Sequence, residues 1–303
     1  VKIRGPAAAG KFYPAGVDEI RKLVSSCLHK HELGPKAGRG KPEPINGLIA
    51  AVVPHAGIIY SGAAAAHVYA RIPKGINTII LLGPNHTGLG DFRVSASSAD
   101  GWKTPLGVVE CDLDVAKALV EHCNAFGGAN FCGFDDLAHL EEHSLEVQLP
   151  FLQEVLDHDS FKIVPFVVSS VDTRTCEAVG KAIAQLIKEA PNGMRFLIIA
   201  SSDFSHYVPA VDAKRLDGFA INEILRIDAP GLLRTVIGNR ISMCGIAPTA
   251  SMLYALKELG VVPRAQAVKH AYYNSGDIIG DKSSVVGYAG ITIAVPSSLI
   301  DNK

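Results

Sequence analysis

The sequence has little that would carry a protein into a membrane or onto a polyanion. No apolar run approaches the roughly 18 residues of a membrane span. The longest, Leu48 to Pro54 and Phe196 to Ala200, have the length of buried strands. The N-terminal residues Val1-Lys2-Ile3-Arg4-Gly5-Pro6 lack the apolar segment that export requires. There is no long block of Lys and Arg. With 29 basic against 30 acidic residues, the formal net charge is −1, so nucleic acid is not an expected partner. The short basic stretch from Lys36 to Lys41 lies among Gly and Pro and reads as a solvated loop. No two cysteines are spaced CxxC. Cys27, Cys111, Cys123, Cys132, Cys176 and Cys244 are scattered, which in a chain of 303 residues predicts reduced thiols. These absences predict a cytoplasmic protein with no membrane partner.

Other absences narrow the chemistry. Without GxSxG, a serine hydrolase lacks its nucleophile elbow. No GxxxxGK[ST] or GxGxxG follows a strand, so phosphate and dinucleotide cradles are unsupported. His139-Leu-Glu-Glu-His143 puts two His four apart but lacks the HExxH order, which leaves a zinc hydrolase on that helix a minor alternative.

What is present is a globular composition, 48% hydrophobic and 19% charged. Short uninterrupted apolar runs at 47–54, 77–83, 161–169 and 195–200 suit strands covered on both faces. Helices are expected at 17–30, 61–70, 114–124, 145–156, 176–189, 211–227, 231–238 and 247–259. Phe92 to Ser97 and Trp102 to Asp112 read as short strands around turns, a hairpin on a sheet edge. Two last strands fall near 265–272 and 285–295. This alternation predicts an α/β fold, a single domain over 1–303 with a mixed, largely parallel central sheet flanked by helices.

In such sheets ligands bind beyond the carboxyl ends of the strands. Three buried strands are followed within a few residues by His: Pro54-His55-Ala56-Gly57, Gly83-Pro84-Asn85-His86-Thr87-Gly88 and Ser201-Ser202-Asp203-Phe204-Ser205-His206. Small neighbours let these backbones approach a shared centre, and imidazole is both the commonest metal ligand and the usual acid or base near neutral pH. Each His alone also reads as a hydrogen-bonded loop residue. Cys244 precedes a predicted helix, where a thiolate is favoured, but a lone Cys is ordinarily a small core residue. In Glu141-Glu142-His143-Ser144-Leu145-Glu146-Val147-Gln148-Leu149-Pro150, a helix capped by Ser144 with Glu146 in its first turn accounts for everything except His143. That His suits a ligand, a hydrogen-bond donor or a partner to a ligand.

These segments, in this order and spacing, resemble the Memo family. Ala9-Gly10-Lys11-Phe12-Tyr13-Pro14 and Ser283-Ser284-Val285-Val286-Gly287-Tyr288-Ala289 do so too, and the likeness covers essentially the whole chain. The family's fold is similar to that of class III extradiol dioxygenases, which use non-haem iron(II) held by two His and a carboxylate, with a further His as acid or base. The Memo pattern puts a Cys in place of the carboxylate. The resemblance therefore implies His55, His86 and Cys244 as metal ligands, His206 and Asp203 lining the pocket as catalytic groups, and His143 nearby. It implies iron(II) first, copper next and zinc as a further choice. The partner would be a small-molecule substrate or a peptide segment in the pocket. Prokaryotic members resemble one part of the AmmeMemoRadiSam set, which links them to a radical-SAM protein. Animal members are described as cell-motility effectors that bind copper or iron. This chain carries Ala8, Thr87, Ser205 and Ala247 where some animal members have extra imidazole or thiol groups, which argues against a second metal or a second thiol. The implied activity is oxygen-dependent oxidation of a small organic molecule; the alternatives are a non-catalytic metal-binding or interaction scaffold and a zinc hydrolase.

Overall fold

A computed structural model describes residues 1–35 and 42–296; the basic stretch from Lys36 to Lys41 lies outside the described residues. In chain order the elements are β1 (Ile3–Arg4), α1 (Val17–His29), β2 (Leu48–Val53), α2 (Ile58–Tyr69), β3 (Thr78–Pro84), β4 (Val94–Ala96), β5 (Gly101–Thr104) and β6 (Gly107–Glu110). Then come α3 (Leu113–Gly127), β7 (Cys132–Phe134), α4 (Leu149–Val155), β8 (Lys162–Val168), α5 (Thr173–Glu189), β9 (Phe196–Ser201) and β10 (His206–Val208). The last are α6 (Ala210–Leu225), α7 (Ala229–Gly238), α8 (Ile246–Glu258), β11 (Gln266–Asn274), α9 (Gly276–Ile279) and β12 (Val285–Ala294).

The main sheet runs β10-β12-β2-β9-β3-β8-β4-β7, with β11 also paired to β12. Its centre, β2-β9-β3-β8, is parallel, and antiparallel pairs lie on both sides of it. The centre is parallel because its strands are covered on both faces. Ile79, Ile80, Leu81 and Leu82 on β3 have no exposed surface, although they alternate sides. One set of alternate side chains packs under α3, α5, α6, α7 and α8, and the other under α1, α2 and α4. Each fully buried Leu or Ile contributes about 1.5–3 kcal/mol.

Three local expectations change. The β5–β6 hairpin forms, but it joins β1 in a separate three-stranded sheet instead of edging the main one. The helix expected from Leu145 is a short 3₁₀ turn, Glu146–Gln148, that runs into α4. Ser144 caps neither: its hydroxyl has no hydrogen-bond partner and sits in the closely packed space beside Gly83. Its amide instead donates to Glu142 Oε1 at 2.9 Å, so the side chain that organises this turn is the acid two residues upstream.

Candidate metal centre

Strand order brings the predicted residues together. β9 lies between β2 and β3, all three parallel, so the loops bearing His55, His86 and the 202–206 segment leave the same edge of the sheet. Cys244 comes from across the chain, one residue before the Gly245 that opens α8. A Cβ at Gly245 would lie 2.3 Å from the Ser201 carbonyl oxygen, so only glycine lets this segment press against the end of β9. Gly245 N–H donates to Ser202 Oγ at 3.0 Å, and Asp203 N–H to Cys244 Sγ at 3.3 Å.

One donor atom each from His55, His86 and Cys244 lies within 4.8 Å of the others. His55 Nε2 is 3.2 Å from Cys244 Sγ. The second nitrogen of each imidazole is engaged elsewhere. His86 Nδ1 is 2.9 Å from Glu142 Oε1, and His55 Nδ1 is 2.7 Å from Ser201 Oγ. His55 is buried, Cys244 partly exposed and His86 exposed, so the cluster opens on its His86 side.

Charge is managed mainly by burial. Burial, then the neighbouring His86, lowers His55 to about 3, which keeps its ring neutral and its lone pair available. Burial opposes ionisation of Glu142, but hydrogen bonds from the His86 ring and from the Ser144 and His86 amides outweigh it, and its carboxyl falls to about 2. An ionised Glu142 only accepts, so His86 Nδ1 donates and Nε2 is left free. Cys244 departs from expectation. Burial and the nearby Asp203 raise the thiol and outweigh the Asp203, Cys244 and Gly245 amides, which favour its thiolate. A cation beside the sulfur would reverse that balance, since a coordinating thiol gives up its proton. Two imidazoles and a thiol aimed at one point therefore fit a soft or borderline metal ion.

The other predicted residues sit around this cluster. His143 is stacked between Phe12 (centroids 3.9 Å apart) and His86 (4.6 Å). Burial, then the neighbouring His55, lowers its pKa to about 4. A second donor set, His86, Glu142 and His143, also lies within 4.8 Å. Its carboxylate already accepts the His86 ring and two backbone amides, which makes it an anchor for His86. Asp203 is buried, its carboxyl raised by that burial, and Oδ1 accepts the His55 and Ala56 amides at 2.8 and 3.3 Å. His206 is half-buried; Ser242 holds both its amide, 2.7 Å from Oγ, and its Nδ1, 2.8 Å from the carbonyl oxygen. Next to it Tyr207 takes a φ of 58°, which an aromatic residue rarely adopts.

A family model described as Memo-like protein matches residues 4–292. The chain belongs to the Memo family. Among Memo relatives, it is similar to MEMO1 family proteins of Methanopyrus kandleri (43% identical, 95% of this chain and 98% of the relative) and Methanosarcina barkeri (41%, 96% and 100%). The corresponding protein of Methanocaldococcus jannaschii is 41% identical over 96% of this chain and 99% of its own length. The mixed α/β fold agrees with that membership. No helix among the described residues is long and apolar enough to cross a membrane.

Glu142, Ser201, Ser242 and Phe12 were not singled out from the sequence. Glu142 and Phe12 stand inside the quoted family motifs, and Ser201 ends a buried strand. Ser242 has no local signal at all, because it meets His206 from 36 residues away.

Proposed function

We propose that the chain is a metal-dependent oxidoreductase that holds iron(II), or else copper, at His55, His86 and Cys244 and oxidises a small organic substrate with oxygen. The observation that carries this reading is the convergence of three donor atoms within 4.8 Å from three separate loops. Such a set occupies one side of an ion and leaves positions open on the other. When bound, the ion would supply Lewis-acid and electron-transfer chemistry, tuned toward copper(I) or electron-rich iron by the soft thiolate.

The residues of the chain would do the rest. Substrate enters on the exposed His86 side. His206 donates from Nδ1 to the Ser242 carbonyl, which only accepts, so its Nε2 keeps a lone pair and takes the proton of a substrate hydroxyl. Ser242 fixes that ring by two hydrogen bonds. His143, wedged between Phe12 and His86, holds the His86 ring in place from behind. Asp203 holds the His55 backbone and balances charge beside His206, whose positive form favours the Asp203 carboxylate.

Oxygen uptake with a panel of phenolic compounds tests this. Protein loaded anaerobically with iron(II) should consume oxygen, Cys244→Ser should not, and His206→Gln should be slower by roughly 10²–10⁴-fold. Zinc-loaded protein that hydrolyses esters or amides, with no oxygen uptake by any metal form, would replace this reading with a hydrolase. A second reading, a scaffold that seats a peptide beside the cluster, is favoured by the exposed apolar residues Ile59 in the first turn of α2, Leu89 in the loop beyond β3 and Tyr207 on β10, each close in sequence to His55, His86 or His206. It predicts a peptide affinity that survives His55→Ala and Cys244→Ser.

A further inference from the structure

The hydrogen-bond arithmetic behind His55 assigns a role to a residue far from it in sequence. We propose that Ser201, anchored on the Ser144 carbonyl and on Gln148, holds His55 in the tautomer protonated on Nδ1, so that the Nε2 lone pair faces Cys244 before any metal arrives. The proposal deepens the reading of His55 as a ligand and rests on it for its purpose.

The amide nitrogen of Gln148 lies 3.1 Å from the Pro54 carbonyl oxygen, 3.2 Å from that of Ser144 and 2.9 Å from Ser201 Oγ. Two of these neighbours only accept, so the atom facing them must be the NH₂ group. The amide oxygen then faces Tyr69, whose hydroxyl donates to it at 2.6 Å. That leaves two hydrogens on Gln148 and one on Ser201. Ser201 Oγ can donate to the Ser144 carbonyl at 2.8 Å or to His55 Nδ1 at 2.7 Å.

Two arrangements follow. In the first, Gln148 donates to Pro54 O and Ser201 Oγ, Ser201 donates to Ser144 O, and His55 Nδ1–H donates to Ser201. In the second, Gln148 donates to both carbonyls, Ser201 donates to Nδ1, and the His55 proton sits on Nε2. Once Cys244 is counted the two use the same hydrogens and differ in where they go. In the first, Ser201 donates to the Ser144 carbonyl at 2.8 Å and the thiol to His55 Nε2 at 3.2 Å; in the second, Nε2–H takes the sulfur and leaves the thiol only the Asp203 carbonyl, at 3.6 Å. The first also uses the shorter of the two competing Gln148 contacts. Tyr69, Gln148 and Ser201 are all essentially free of solvent, so water cannot make up the difference. The first arrangement is favoured, and it is the one that presents Nε2 as a ligand. Tyr69, Gln148 and Ser201 are positioning residues.

The test is nitrogen NMR of the full chain, metal-free and labelled with ¹⁵N-histidine, with the His55 signals identified by their loss in His55→Gln. Wild type should show His55 protonated on Nδ1. Ser201→Ala should move the major population to Nε2–H and, in titration with cobalt(II), weaken binding roughly 10–100-fold. It removes one hydroxyl and leaves the Gln148 contacts to both carbonyls, and the wild-type tautomer is read independently of any variant. A wild-type His55 protonated on Nε2, or a folded Ser201→Ala with its tautomer unchanged, overturns the proposal. If the tautomer responds as described but wild type binds no cobalt, the metal reading fails and the tautomer assignment stands.

Discussion

Two buried polar clusters meet at Glu142, and they are built to opposite rules. In the first, Glu146 accepts from Arg4 Nη1 at 2.6 Å, the Ala7 and Ala8 amides at 2.8 and 2.9 Å, and the Tyr13 hydroxyl at 2.5 Å. Four donors use up what a carboxylate can accept. The Arg4 guanidinium also donates to the His139 and Glu142 carbonyls and lies 4.1 Å over the Trp102 ring. In the second, Glu142, Ser201 and Ser242 hold the outer nitrogens of His55, His86 and His206, and the inner donor atoms of His55, His86 and Cys244 face one another. The first cluster is closed and ties the N-terminal segment to the 142–146 turn. The second is open toward a point. Both contain buried groups with shifted pKa values, so burial and pKa shifts do not separate structure from function here; what separates them is that the Glu146 carboxylate already has its donors, whereas the inner donor atoms of the second set face one another.

Glu146→Ala leaves the Arg4 charge buried without its partner and should destabilise the fold by about 3–5 kcal/mol in urea unfolding. Metal bound per folded chain should not change. A loss below about 1 kcal/mol would mean that the closed cluster is not structural.

Acid should act on the closed cluster through His139. It donates from Nε2 to Ser95 O, and burial lowers its pKa to about 4. The unfolded chain, with a His pKa near ~6.5, binds the proton first, so stability is full above that pH and falls as pH drops toward 4. The difference corresponds to about 3 kcal/mol by linkage. His139→Gln should flatten the unfolding free energy across that window; an unchanged slope would show that His139 does not stay neutral in the folded chain.

Glu142→Gln probes the hinge between the clusters. It weakens the anchor on His86 Nδ1 and should lower cobalt(II) affinity roughly 10–100-fold, about 1.4–2.7 kcal/mol. Unfolding free energy should move by less than that. An affinity equal to wild type would place Glu142 in the closed cluster alone.

The smallest effect is expected from the other thiols. Burial pushes Cys27, Cys111 and Cys176 up to about 12. Their replacement by Ala should leave metal content unchanged, measured by elemental analysis.

The sequence showed the open cluster better than its supports. Strands covered on both faces leave short apolar runs, and strand-end logic needs only the order of runs and loops. It therefore reached His55, His86 and His206 without a structure. Cys244 entered only through the family resemblance, because a lone Cys before a helix looks like any core thiol. The helix start favours its thiolate, as its position before α8 suggests, but burial outweighs that effect. The supports were hidden for a geometric reason. Gln148 meets Ser201 across 53 residues, and Ser242 meets His206 across 36. No local period records such contacts. The 145–156 segment reads as one capped helix because Ser144 fits a cap, whereas Glu142 takes the Ser144 amide and the serine side chain is packed against the end of β3.

The central claim is that His55, His86 and Cys244 form one metal centre. Elemental analysis of anaerobically purified wild type, His55→Ala and Cys244→Ser, each confirmed as folded, tests it most directly. The account predicts about one iron or copper per wild-type chain and almost none in either variant. Folded wild type that takes up no metal when offered iron(II) or copper, or a Cys244→Ser protein with an undiminished content, would contradict it.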